Sequence, residues 1–153
     1  MLPRTLPGPA GDIAVVVGRV LIGVVLIAHG WQKFFHTGIG GTAAGFAKIG
    51  IPLPTVAAGY AAAVEMVGGA LLLLGAFTAV VGVLVTLDML GAAMFVHIPK
   101  GQGIFVGTNG WELVGVIAAG ALILAAFGAG RFSVDGFLAA RHGEALHHSK
   151  PRT

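Results

Sequence analysis

The chain contains no cysteine. Disulfides, thiolate nucleophiles, iron–sulfur clusters and cysteine-ligated zinc therefore lie outside its chemistry. Charge is scarce as well: only 10% of its 153 residues are Asp, Glu, Lys or Arg. Those cations form no clustered basic face with interleaved aromatics, which excludes nucleic acid as a partner. Polar sequence long enough for a separate soluble domain is missing too.

What remains is apolar. Hydrophobic residues make up 56% of the chain and its mean hydropathy is +0.93, against about 45–50% apolar residues in soluble domains. The 26 glycines follow no G-X-Y period, so they are the glycines of membrane helices rather than of collagen. A hydrocarbon core takes about 20 apolar helical residues to cross. Four segments qualify: 13–31, 55–76, 79–98 and 110–129. The expected fold is all-α, a polytopic membrane four-helix bundle forming one membrane domain over 1–153, with 130–153 as a polar cytoplasmic tail. Arg19 within the first apolar run, and the lack of an A-x-A-like site after it, argue for a retained span rather than a cleaved signal peptide.

Local signals fill in the path. Asp12 is the expected N-cap of span one, Trp31, Gln32 and Lys33 are its interfacial anchor, and Trp111 marks the same level on span four. The linker "TAAGFAKIG" reads either as a short surface helix, capped by Thr42 and stopped by Gly50 and Pro52, or as a polar loop. Barely two residues, around Phe77 and Thr78, separate spans two and three, which must form an antiparallel hairpin. Arg4, Arg19, Arg131, Arg141, Lys150 and Arg152 lie toward the terminal side, against Lys33, Lys48 and Lys100 opposite. The positive-inside rule then places both termini in the cytoplasm. His147 and His148 read as part of a solvated, frayed tail rather than as metal ligands, and no metal site is expected.

Every span nevertheless carries ionisable residues: Arg19 and His29, Glu65, Asp88 and His97, and Glu112. An ionised side chain in hydrocarbon costs roughly 3 kcal/mol or more unless it is partnered. Glu65 and Asp88 lie near the midplane, and Arg19 is expected to reach one of them, so Arg19 and Asp88 are assigned as structural counter-charges. The same residues serve equally as glue, with polar side chains pairing across helices. A weak internal repeat, "EMVG" at 65–68 and "ELVG" at 112–115 with Gly-x5-His at 23–29 and 91–97, predicts two polar pairs. These are His29 with Glu65 and His97 with Glu112, rimmed by Lys33 and Asn109. If span four starts at 110, Glu112 lies shallower than Glu65, so equal depth requires a start near Gly103. Two histidines on different helices suit haem ligation, but each sits where a span meets water, which disfavours haem.

Taken in order, these residues resemble the DoxX family from about Arg19 to Asp135. The features are Arg19, Gly23, Gly30 and Lys33; "EMVGGALLLLG" with Glu65, Gly68, Gly69 and Gly75; His97; "NGWEL" with Asn109 and Glu112; and "GAGRFSVD" with Ser133 and Asp135. The resemblance implies a four-helix bundle in the bacterial inner membrane and a link to membrane redox systems such as thiosulfate-to-quinone electron transfer. There such chains act as subunits beside other proteins. Related bundles serve as assembly chaperones or cargo receptors, so the family fixes the fold better than the chemistry.

The expected function is thus a subunit of a quinone-linked membrane redox complex. His29, Glu65, His97 and Glu112 are the quinone- and proton-handling candidates, and no covalently bound cofactor is expected. The partners are the lipid bilayer, a protein of the complex and, as a further candidate, a second copy of the chain. The alternatives are a non-enzymatic assembly factor or scaffold and, ranked last, a small proton-coupled carrier.

Overall fold

The computed structural model describes the backbone of residues 8–100 and 103–148, and the side chains of residues 8–99 and 103–142. Arg4, Lys150 and Arg152 lie outside the described residues, as do the side chains of Lys100, His147 and His148. Among the described residues every regular element is helical. In chain order these are α1 (Pro9–His36), α2 (Gly38–Lys48), α3 (Pro54–Leu74), α4 (Thr78–His97), α5 (Glu112–Phe127) and α6 (Val134–His148).

Three of them, α1, α3 and α4, are long and apolar enough to cross a membrane. The predicted fourth span is shorter than its apolar sequence suggests. Its helix begins only after Asn109, which takes a left-handed turn (φ 62°), and ends at Gly128 (φ 88°). The 16 residues of α5 rise about 24 Å, against about 30 Å of hydrocarbon. The linker between α1 and α3 contains a helix, α2, although not the one its sequence advertised. Thr42 lies inside it, bonding back to the Gly38 carbonyl at 3.0 Å, and caps nothing. Asp12 likewise sits in the first turn of α1, which starts at Pro9, and meets Arg131 instead, with 3.5 Å to its Nε.

Glycine decides which helices touch. A methyl group added at Gly23 would stand 2.7 Å from the Gly69 carbonyl oxygen, and one at Gly30 2.5 Å from the Met66 nitrogen, so α1 and α3 pack antiparallel almost backbone to backbone. Gly82 does the same for α4 and α5, where a methyl would lie 2.6 Å from the Ala121 oxygen. Such close approach lets van der Waals attraction between the backbones hold helices together where lipid removes the hydrophobic drive. Leu26, Leu72, Val85 and Ala121 fill the centre, whereas Leu21, Val24, Leu87, Val116 and Phe127 face outward. An apolar exterior around an apolar core is what a bilayer requires, and the chain is an integral membrane protein.

At the end of the bundle where α1 begins and α5 ends (the terminal end), the chain closes on itself. The α3–α4 hairpin turns through Gly75 (φ 66°) and Phe77 (φ 51°), leaving the first N–H groups of α4 without a local cap. Asp135, 57 residues further on, supplies it. Its two carboxylate oxygens accept from Phe77 N at 2.9 Å and Thr78 N at 2.8 Å, and its own N–H donates to the Gly75 carbonyl at 3.0 Å. The segment expected to fray after Gly130 is therefore anchored, and it continues as α6.

Burial alone would raise the Asp135 pKa, but the N–H donors of Thr78 and Phe77 and the charge of Arg19 outweigh it and hold the carboxyl below the usual carboxylate range. A depressed folded-state pKa stabilises the protein above the unfolded Asp value of about 3.9, and the contribution disappears as pH falls through the folded value. Asp135→Ala is expected to lower stability at neutral pH by about 1–2 kcal/mol, the worth of an N-cap, seen as a lower Tm in detergent. Asp135→Asn is expected to lose less stability than the wild type on acidification below pH 4; equal acid sensitivity would show that the cap contributes nothing.

Candidate functional site

In the half of the bundle away from the start of α1, α1, α3 and α4 each contain one π-helical turn: Gln32–His36, Val64–Gly68 and Ala93–His97. Such a turn inserts an extra residue between hydrogen-bonded partners, widens the helix and re-aims its side chains, and is common at functional sites. The three turns carry Lys33, Glu65 and His97. Between them lies a cavity of about 540 Å³, within the roughly 300–1,000 Å³ of small-molecule sites. Leu26, Ala61, Met89 and Ile117 form its apolar wall, and Phe46 of α2 with Ile51 and Pro52 flanks its outer end.

Six of the eight polar residues singled out in the sequence line this cavity: His29, Lys33, Glu65, Asp88, His97 and Asn109. Their pairing differs from the expectation. Glu65 is 5% exposed and takes a hydrogen bond from Lys33 Nζ at 2.6 Å rather than from His29. His97 Nδ1 lies 2.8 Å from the Asn109 carbonyl oxygen. A carbonyl only accepts, so Nδ1 carries the hydrogen and, in the neutral ring, Nε2 is left as an acceptor. His29 is an exposed residue at the cavity wall. Asp88, on α4, is 8% exposed, and its Oδ2 has no hydrogen-bond partner among the described residues. It interacts electrostatically with both Glu65 and Lys33.

Arg19 and Glu112 lie elsewhere. Arg19 does not reach Glu65 or Asp88: its Nη2 donates to the Phe132 carbonyl at 2.6 Å, its charge faces Asp135, and it is 2% exposed. Helical side chains lean toward the N-terminus of their own helix. Arg19 therefore leans back toward the terminal end, where Gly75 leaves room that any Cβ would take from the guanidinium. The same lean carries Lys33 inward, from the far end of α1 toward Glu65. Reading side-chain direction as well as depth would have exchanged the two cations. Glu112 is the first residue of α5, so the repeat does not place it level with Glu65; its Oε1 accepts from Val106 N at 2.6 Å and its N–H donates to the Ile104 carbonyl at 2.9 Å. It fastens the α4–α5 linker and makes no pair with His97.

The model of the DoxX family matches residues 14–98, from the first turns of α1 to just past His97. An uncharacterized membrane protein of Mycobacterium tuberculosis is 35% identical over 147 residues, covering 91% of this chain and 89% of its own length. The Escherichia coli protein named "Inner membrane protein YphA" is 33% identical over 84% of this chain and 92% of its own. The Bacillus subtilis protein named "Putative oxidoreductase CatD" is 38% identical over 57% of this chain and 62% of its own. No solved structure matches it significantly.

Removing one member of a buried ion pair strands the other charge. Lys33→Met is expected to destabilise the bundle by about 3 kcal/mol, while the double variant Lys33→Met/Glu65→Leu stays close to the wild type. Thermal unfolding in mild detergent reads both; additive losses in the double variant would show that the two residues do not act as a pair.

Proposed function

This chain belongs to the DoxX family of membrane proteins, and from that premise we propose that it is a subunit of a membrane redox complex, holding a quinone-type carbonyl compound in the cavity between α1, α3, α4 and α5. The observation that carries this reading is the convergence of His29, Lys33, Glu65, Asp88, His97 and Asn109 on one largely apolar cavity. That combination suits a lipid-borne ring with a few polar oxygens: an apolar wall to take the ring and a small number of placed polar groups to orient it. The oxidoreductase name of the B. subtilis relative favours the same class of chemistry. The E. coli relative's name favours the bacterial inner membrane as its location, and the distribution of Lys and Arg favours cytoplasmic termini.

A bound quinone would supply two-electron carbonyl chemistry, and the protein would supply binding, orientation and protons. Lys33, fixed by Glu65, presents a localised positive charge and its remaining N–H groups to a ligand oxygen. His97, oriented by the Asn109 carbonyl, offers Nε2 as a proton acceptor, and His29 lies on the cavity wall as a second imidazole. Without cysteines of its own the chain has no thiol redox couple, so electrons would arrive through the bound compound or from a partner protein.

The test is ligand binding to the purified protein in mild detergent, together with analysis of the lipid-soluble molecules and proteins that accompany it. A quinone analogue is expected to bind the wild type, and Glu65→Gln, which removes the counter-charge that holds Lys33, is expected to weaken binding about tenfold, or about 1.4 kcal/mol. A folded wild type that neither binds the analogue nor carries a lipid-soluble carbonyl compound would refute the reading. Loss of a partner's assembly in Glu65→Gln, with membrane redox activity unchanged, would favour the scaffold instead.

A further inference from the structure

Glu65 and Asp88 both face the cavity and are each more than nine-tenths buried, yet they share one lysine. Lys33 is committed to Glu65 at 2.6 Å. The remaining titratable groups on the cavity wall are His29 of α1, Tyr60 of α3, whose hydroxyl donates to the Leu84 carbonyl at 3.0 Å, and His97 of α4, which uses Nδ1 on the Asn109 carbonyl. Arg19 is engaged at the opposite end of the bundle. Among the described residues no cation is left for Asp88. An isolated carboxylate in an apolar interior is so costly that the group takes up a proton instead. The neutral acid is then a hydrogen-bond donor, like any protonated carboxyl, but Asp88 Oδ2 has nothing to bond among the described residues. A buried polar group in that state is destabilising, and a suitable ligand atom would supply the missing partner.

We propose that Asp88 is the ligand-contacting acid of this site, donating its hydrogen to a carbonyl oxygen, so that the cavity takes the oxidised dione form of its ligand in preference to the diol. The inference rests on the quinone-type reading above and narrows it to an oxidation state. A carbonyl oxygen brings two lone pairs and no hydrogen, which matches the Asp88 O–H and the unused N–H groups of Lys33. A hydroxyl is the weaker acceptor for both donors, and its own hydrogen has to turn to the second Glu65 oxygen or to His97 Nε2, away from Asp88 and Lys33. Asp88 was expected to serve as a counter-charge; on this reading it contacts the ligand, and Glu65 is the positioning residue that keeps Lys33 from neutralising it.

The experiment is equilibrium dialysis of the full chain in detergent micelles against a short-chain alkyl-1,4-benzoquinone and, under argon, the matching 1,4-diol. The wild type is expected to hold the dione about tenfold more tightly than the diol. Asp88→Asn, whose amide still donates, is expected to keep dione binding within about threefold, whereas Asp88→Leu loses about tenfold, the effect of one buried hydrogen bond. Ligand-free Asp88→Leu is expected to melt at or above the wild-type Tm, because an apolar side chain replaces an unsatisfied one, so its loss of binding cannot be ascribed to misfolding. Diol bound as tightly as dione, or wild-type affinity in Asp88→Leu, would overturn the assignment while leaving the quinone-type reading intact. Absence of binding by either form to the folded wild type would overturn both.

Discussion

A single contact, the Lys33 ammonium against the Glu65 carboxylate at 2.6 Å, organises the far half of this bundle. In water such a pair would contribute little, because each charge is already well solvated. In a protein interior surrounded by hydrocarbon, neither charge has an alternative, so the pair fixes how α1 sits against α3. Gly30 and Gly69 allow the backbones to approach closely enough for the reach to be short. Because that lysine is taken, the second carboxyl, Asp88, is left with an unused hydrogen-bonding position at the cavity wall, and the chemistry proposed for the site follows from this imbalance.

The two ends of the bundle solve the same problem differently. At the terminal end the polar side chains are bound to backbone groups: Arg19 to the Phe132 carbonyl, Asp135 to two N–H groups, Ser133 to the Gly130 carbonyl. Tight packing over Gly75 leaves no room there for a ligand. At the other end the π turns open the helices, and polar groups point at one another across space. The first region closes the bundle, and the second holds the proposed ligand site.

Much of this was legible in the sequence, for identifiable reasons. Apolar run length marked the three long helices, and the two-residue break at Phe77 and Thr78 marked the hairpin. The ionisable residues inside the spans, with Lys33 and Asn109 at their rim, included six of the polar residues that line the cavity; Tyr60, whose hydroxyl bonds the Leu84 carbonyl, was missed. The partners were not legible from depth alone, because which end of a helix a long side chain leans toward matters as much as where its Cα lies; hence Arg19 and Lys33 exchanged roles. The helix α5 was read as the span 110–129, but its shortness was not, because its ends are set by the backbone turns at Asn109 and Gly128, while the flanking residues remain apolar. The π turns leave no clear trace in composition, since they alter hydrogen bonding rather than residue type. The anchoring of the segment after Gly130 depended on a carboxylate at 135 meeting amides at 77 and 78, a long-range pairing that no local pattern announces.

That long-range cap bears on biogenesis. Chains are synthesised from the N-terminus, so α4 leaves the ribosome well before Asp135 exists to cover its first amides. The α3–α4 hairpin must enter the bilayer with those amides served by water or lipid headgroups, and the terminal end can lock only once the chain has been made through residue 135. Translation that stops short of residue 135 would leave a bundle with its helices in place and its last clasp missing, a species a quality-control protease could recognise.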